Sequence, residues 1–233
     1  MAVLGASGRM GRAVVELVES DYQERCRLAA TVSSRRGSLE LLADADIVID
    51  FSLPQGTAAL AASLSTSSRP ATVVSGTTGL APKELAALRR LADRRTVLHA
   101  NNFSAGVAAL TAVLEFAAPM LESLGYSAAI TETHHSGKRD APSGTAKVLQ
   151  AALRPDAPES IQTHSVRAGA VIGEHDVRFF GPDDEIQIRH TAMRRRLFAR
   201  GALDAALWLH TERREPGFLT MKDYFATRFL SAD

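Results

Sequence analysis

The sequence predicts an α/β protein in two parts. A doubly wound parallel sheet is expected over residues 1–104, completed by residues 200–233, and an α+β part with a mixed sheet over residues 105–199. Three observations carry that reading. Short apolar runs at Met1–Leu4, Ala45–Phe51, Ala71–Ser75 and Thr96–Ala100 end in small-residue or polar loops, the rhythm of strand–loop–helix units in a parallel sheet. After Phe103 the texture changes to one long apolar helical stretch and then to alternating runs. Finally, 233 residues with 45% apolar content are enough for one large or two small globular domains and are not a disordered chain.

The first part opens as strand, glycine turn and helix. Met1–Leu4 is followed by Gly5, Gly8 and Gly11 in the spacing G-x-x-G-x-x-G, and Arg12–Glu19 continues as an amphipathic helix. The spacing differs from the dinucleotide fingerprint G-x-G-x-x-G, but the physics is the same: a tight turn, close backbone approach to a pyrophosphate, and close packing of helix on strand. Gly5, Ala6, Ser7, Gly8, Arg9 and Met10 are therefore candidate cofactor contacts in a Rossmann-like domain. Arg27–Val32 reads as the second strand. Where a fingerprint for NADH places an acidic residue on the adenine ribose, this chain has Ser33, Ser34, Arg35 and Arg36. Hydroxyls followed by guanidiniums suit a 2′-phosphate, which favours NADPH, with NADH also usable. The strand Ala45–Phe51, a helix Ala58–Leu64, the strand Ala71–Ser75, a helix Pro82–Asp93 and the strand Thr96–Ala100 complete the alternation. Their loops, with Gly76, Thr77 and Thr78 and with Ala100, Asn101, Asn102 and Phe103, would line one cleft with the glycine turn.

The second part is expected to hold a helix Ala105–Leu124 broken near Pro119, a strand Tyr126–Glu132 and a helix running to Leu153. Strands at Ile161–Ala168, Val171–Phe180, Glu185–Ala192 and Arg196–Ala199 follow, then a helix Gly201–Leu209 and a last helical stretch from Thr220. The densest polar segment is Glu132–Ala146, ETHHSGKRDAPSGTA. Two histidines and a lysine precede a small-residue turn that starts a helix, capped by Asp140 or Ser143. Free N–H groups at a helix start attract anions, and Gly144 leaves room for close approach. A lone histidine at a strand end is usually structural; two histidines, a lysine and an anion turn in this order are not. His99, His164, His190 and His210 have no such company and read as structural, while His175 could orient a loop or cap a strand.

Composition excludes several classes. The net charge of +1 gives no general pull toward nucleic acid, and the arginine runs at Arg194–Arg196 and Arg213–Arg214 lack interleaved aromatics. Cys26 is the only cysteine, so no intrachain disulfide forms, and no His, Cys or carboxylate spacing suggests a metal. No apolar run is expected to reach the roughly 20 residues that span a bilayer, and a cytoplasmic protein is the expectation. The open sheet of the second part is expected to meet a copy of itself.

Taken together, GASGRMG at Gly5–Gly11, IDFSLPQGT at Ile49–Thr57, GTTG at Gly76–Gly79, ANNFSAGV at Ala100–Val107, the Glu132–Ala146 segment, VRAGAVIGEH at Val166–His175 and FARGALDAALWL at Phe198–Leu209 resemble the 4-hydroxy-tetrahydrodipicolinate reductase family. The resemblance implies a dinucleotide-binding domain, a substrate domain that forms tetramers through its sheet, and NAD(P)H-dependent reduction of a cyclic imine dicarboxylate in diaminopimelate and lysine biosynthesis. It also implies roles: His134 as acid/base, Lys138 as proton donor, His135 as a substrate ligand, Gly144 and Thr145 as the loop holding a substrate carboxylate. Two features depart from the family. The segment between the second and third strands is short, and Ser33 stands at a position often acidic. The chemistry agrees with these roles, because hydride addition to a conjugated imine leaves an anionic enamine that must gain a proton. The division of that task between His134 and Lys138 stays open. Another nicotinamide enzyme, such as an aspartate dehydrogenase, would share the glycine turn without the HHxxKxDAPSGTA segment, and a non-catalytic nucleotide module would have no use for His134 and Lys138.

Overall fold

The computed structural model describes residues 1–34, 36–212 and 215–230; Arg35 and the Arg213–Arg214 pair, both singled out above, lie outside the described residues. The chain divides into two compact units, Met1–Phe103 with Arg195–Asp233, and Ser104–Arg194. The first unit opens with β1 (Ala2–Leu4), α1 (Arg9–Val18), β2 (Ala30–Val32), α2 (Glu40–Ala43), β3 (Ile47–Asp50), α3 (Pro54–Thr66), β4 (Thr72–Ser75), α4 (Pro82–Leu91) and β5 (Thr96–His99). The second unit carries α5 (Ala105–Ser123), β6 (Ser127–His134), α6 (Gly144–Leu153), β7 (Gln162–Arg167), β8 (Glu174–Phe180) and β9 (Glu185–Thr191). The first unit resumes with α7 (Arg196–Glu212), β10 (Gly217–Leu219) and α8 (Met221–Phe225).

In the first unit the described strands form a parallel sheet in the order β10-β5-β4-β3-β1-β2. Parallel strands are buried on both faces, which is why Ile47–Asp50 and Thr72–Ser75 read as continuous rather than alternating runs. One face packs against α1 and α7 through Val14, Leu17, Ala202, Leu203 and Ala206. The other packs against α3 and α4 through Leu60, Leu64, Leu88 and Leu91. Each fully buried leucine contributes roughly 1.5–3 kcal/mol. Pro54 and Pro82 begin α3 and α4, where a missing N–H costs nothing.

One expectation needs correction here, and two elements are additions to it. Arg196–Ala199 is not a strand of the second part but the first turn of α7, so the chain leaves the second unit after Arg194 rather than after residue 199. A four-residue alternation fits either period, and the helix prevails because it buries Ala199 with Ala202, Leu203 and Ala206. Gly217–Leu219, unanticipated, adds an edge strand beside β5. The short α2, also unanticipated, packs Leu42 into the core.

The second unit is a mixed sheet in the order β7-β6-β8-β9, with β6 and β7 parallel and the other pairs antiparallel. Strand alternation turns Ile130, Val177 and Phe179 toward α5 and α6, where they meet Leu110, Leu114, Leu121, Leu149 and Leu153. Among the described residues no helix of this unit covers the opposite face, which carries Arg178 paired with Asp176 and with Glu185. α5 continues past Pro119 instead of ending there. The lost N–H costs the helix one hydrogen bond, yet Leu114, Ala118 and Leu121 keep it seated on the sheet. Contrary to expectation, α5 is long and apolar enough to cross a membrane by length and composition, with a mean hydropathy of 1.4; here its leucines form part of the core of the second unit.

Candidate active site

β6 extends two residues beyond its expected end, and its last residue is His134. Residues two apart share a face of a strand, so Glu132 and His134 both point to the covered side. Glu132 is fully buried and is met by donors from several directions. Arg167, on the neighbouring β7, donates to both carboxylate oxygens at 2.9 and 2.7 Å, the Ser143 backbone N–H donates at 3.2 Å, and His134 Nδ1 donates from the side. A carboxylate so paired stays ionised, which fixes the proton of neutral His134 on Nδ1 and leaves the lone pair on Nε2. Arg167 also donates to the Asp140 carbonyl at 2.6 Å, and Lys138 Nζ donates to the Asp140 carboxylate at 2.8 Å. Asp140 therefore secures Lys138, and Ser143 is the residue that caps α6, its Oγ accepting the Ala146 N–H at 3.1 Å.

One hydrogen-bonded assembly thus brings together His134, Lys138 and the start of α6. Gly144 opens that helix with no heavy atom within 4 Å of the place a Cβ would take, and half-buried Thr145 follows. His135 is half-buried beside His134, its carbonyl accepting the Lys138 N–H at 3.0 Å.

The charges follow from this packing. Burial alone would raise the Glu132 carboxyl, but hydrogen bonds from Arg167, Ser165 and His134 outweigh it and hold it down to about 2. Burial lowers His134, helped by the Lys138 and Arg167 charges and opposed by Glu132. His134 is therefore neutral near pH 7. Chemically the assembly offers a base lone pair at Nε2, an ammonium at Lys138 and an anion-attracting turn.

In the first unit the glycine turn has the form its spacing requires. Gly5 has φ +82°, and a Cβ there would lie 2.3 Å from the Phe51 carbonyl oxygen; one on Gly11 would lie 2.2 Å from the Gly5 oxygen. The Gly5 and Ala6 N–H groups donate to the Val32 carbonyl at 2.8 and 3.2 Å, closing the turn on β2. Gly8 stands at the N-cap of α1, whose start has no side-chain cap; Ser7 and Arg9 are exposed and Met10 packs on the core. Ser33 and Arg36 exchange backbone hydrogen bonds at 2.8 and 3.2 Å, and Ser34 is exposed. A cleft of about 300 Å³ lies between them, bounded by Ala6, Ser7, Arg12, Glu16, Ser33 and Arg36.

At the second loop, Thr77 is buried and its Oγ1 accepts the Ser52 N–H at 3.1 Å, whereas Thr78 is exposed and Gly76 half-buried. At the third, the Ala100 N–H donates to the Ser75 carbonyl at 3.1 Å, Asn101 is exposed and Asn102 half-buried. Phe103 could be read from the sequence as cleft wall or as core, and its ring is core, 2% exposed and edge-on to Phe51 at 5.8 Å.

Sequence reasoning gave Glu132 no role beyond a possible polar support, like Asp50 and Glu115, and passed over Arg167. The E-x-H spacing on a strand was a usable signal for Glu132. Arg167 is 35 residues away and reaches it only through the β6–β7 register, which pairs Arg167 with His134.

Comparison with known proteins covers both units. The family description "Dihydrodipicolinate reductase, N-terminus" matches residues 1–103, and "Dihydrodipicolinate reductase, C-terminus" matches residues 106–225. The chain is 38% identical to a 4-hydroxy-tetrahydrodipicolinate reductase of Stenotrophomonas maltophilia (strain K279a), with 96% of each chain covered. It is 40% identical to the enzyme of that name from Xanthomonas axonopodis pv. citri (strain 306), over 87% of this chain and 88% of that one. Among solved structures, a dipicolinate-bound dihydrodipicolinate reductase from Paenisporosarcina sp. TG-14 shares the fold with a TM-score of 0.70 at 21% identity, covering 94% of this chain and 96% of that one. Matches along both units leave no room for the aspartate dehydrogenase reading, and the chain belongs to the dihydrodipicolinate reductase family.

Proposed function

We infer that the protein is a pyridine-nucleotide-dependent oxidoreductase that reduces 4-hydroxy-tetrahydrodipicolinate to tetrahydrodipicolinate, a step of diaminopimelate and lysine biosynthesis. The observation that carries this reading into chemistry is the buried Arg167–Glu132–His134 chain beside Lys138 and the capped start of α6. A reduced nicotinamide supplies the hydride. The residues of the first unit fit such a cofactor: the turn Gly5–Met10 is too tight to admit a Cβ at Gly5 and leads into the uncapped start of α1, with the loops at Gly76–Thr78 and Ala100–Phe103 as further contacts. We favour NADPH, with NADH accepted more weakly, because Arg12 and Arg36 border the cleft with Ser33, although Glu16 also borders it.

On the substrate side we assign the proton to the pair His134 and Lys138. Glu132 holds the His134 ring with Nε2 free to take part in proton movement, and Lys138 supplies a cationic donor. His135 and the N–H groups at Gly144 and Thr145 would grip the substrate carboxylates. Following NADPH absorbance while a synthase forms the substrate in situ tests the reaction. Oxidation that needs both enzymes is expected, and no oxidation at micromolar enzyme would sink the reading. The ratio of kcat/KM for NADPH and NADH tests the preference. We also propose a homotetramer assembled through the uncovered sheet face and a cytoplasmic location. A monomer by light scattering would overturn the first, and activity recovered only with membranes the second.

A further inference from the structure

Behind the active-site histidine a polar row crosses the sheet of the second unit. Strand register sets Glu132 against His175 and His175 against His190, all on the face covered by α5 and α6. His175 is 3% exposed and meets the His134 ring edge-on, with centroids 5.2 Å apart and planes at 75°. His190 follows at 6.5 Å.

Each of these two rings is held by the serine that starts a helix. Ser143, the N-cap of α6, lies 3.2 Å from His175 Nε2, and Ser104, the N-cap of α5, lies 3.1 Å from His190 Nε2. Each serine Oγ also accepts a helix N–H, from Ala146 and from Val107, both at 3.1 Å. The Ser143 hydroxyl keeps a second lone pair and its proton, so it can bond Nε2 of a neutral His175 in either tautomer. A cationic ring here would face the positive end of α6. On the near side, Gly173 leaves open the space that a Cβ would fill, 3.1 Å from His134 Nε2, 3.5 Å from its Cδ2 and 3.8 Å from His175 Cε1.

We propose that His175 is a positioning residue for His134: its neutral ring, fixed by Ser143, holds the His134 imidazole against Glu132, while Gly173 keeps the approach to Nε2 clear. The inference rests on the reading of His134 given above. The ionisable groups that face His175 are His134, Glu132, His190 and Lys138, and burial above all, then the His134 charge, pushes His175 down to about 4. The ring thus remains neutral while His134 gives up or gains its proton. A charge at His175 would oppose a protonated His134, and an empty place would let it tilt.

The test compares wild type, His175→Phe and Gly173→Ala. Phenylalanine keeps the ring volume and removes the bond to Ser143, and alanine is compatible with the backbone at 173, where φ is not positive. The readouts are kcat against pH with the substrate formed in situ, the Kd for NADPH by fluorescence, and the NMR titration of the His134 ring, assigned by its loss in His134→Gln. His175→Phe is expected to lower kcat about 10- to 100-fold, to shift the pH profile and the His134 titration, and to leave the Kd for NADPH unchanged. Gly173→Ala is expected to lower kcat with the same Kd. A wild-type pH profile and His134 titration in His175→Phe would overturn the proposal, even where kcat fell. Should His175→Phe fail to fold, wild-type turnover and an unmoved His134 titration in Gly173→Ala would overturn it. An inactive wild type would instead count against the proposed reaction, and the His134 titration would still decide this inference.

Discussion

Asp50 and Glu132 are both fully buried carboxylates near the C-terminal ends of strands, one in each unit, and they are satisfied by opposite means. Asp50 accepts from the Ser52 N–H at 3.0 Å, from the Ser52 and Thr57 hydroxyls at 2.6 Å and from the Ser75 hydroxyl at 2.9 Å; among the described residues no cation pairs with it. Glu132 accepts from Arg167 and His134, charged or chargeable groups. Neutral donors on Asp50 tie β3, α3 and β4 together, and through Ser52 they reach Thr77, so that carboxylate shapes loops. Charged donors on Glu132 set protonation, so that carboxylate poises chemistry. Hydrogen bonds to ionised partners are roughly twice as strong as neutral ones, and losing one side leaves the other charge buried.

Removing the charge at each site should therefore have unequal results. Glu132→Gln is expected to cost about 3–5 kcal/mol of stability by stranding Arg167, and to lower kcat by about 100-fold or more as His134 loses its orientation. Chemical denaturation and steady-state kinetics measure the two, and a variant within twofold of wild type in kcat would erase the contrast with Asp50.

Acid should separate the units next. The unfolded chain takes up a proton on His175 near pH 6.5, whereas the folded chain does so only at about 4, so stability rises with pH across that window. The buried ring makes this worth up to about 3 kcal/mol. Below pH 4.5 Glu132 adds to the loss as its carboxyl, held to about 2, is forced toward protonation. Denaturation midpoints against pH should show the first window flattened in His175→Phe.

Arg167→Lys keeps the charge but not the two-pronged donation, and about a tenfold loss in kcat is expected, with little change in the Kd for NADPH. Asp50→Asn should have the smallest effect, because hydroxyl donors can rotate to serve an amide. A cost of about 1 kcal/mol is expected, read as a rise in the Kd for NADPH of roughly fivefold with kcat at saturation unchanged. A larger loss in kcat than in affinity would show that Asp50 does more than shape loops.

The same contrast explains what the sequence made legible. β3, β4 and β5 announce themselves because strands covered on both faces are unbroken apolar runs, and the glycine turn because its close contacts admit no side chain. Two of the residues that donate to Asp50 are close in sequence, Ser52 two and Thr57 seven residues away, while Ser75 comes from the adjacent β4, 25 residues on. The partners of Glu132 are split: His134 is two residues away, but Arg167 arrives from a parallel neighbour 35 residues on, and no local pattern encodes that register. His190, read as structural, belongs to the row behind His134 for the same reason. Arg196–Ala199 was too short for its period to tell strand from helix, and Gly217–Leu219 too short to stand out at all.

The serines that cap α5 and α6 carry one more consequence. Since each hydroxyl serves a helix start and a histidine at once, protonating the ring sets a cation against the same helix end. Acid should therefore fray these helices from their first turns while their leucines still hold the sheet. Amide exchange would show it as an early loss of protection at Ala146 and Val107, well before Leu149 or Leu114. In that order of opening, the turn at Gly144 loosens its hold on an anion before the second unit loses its fold.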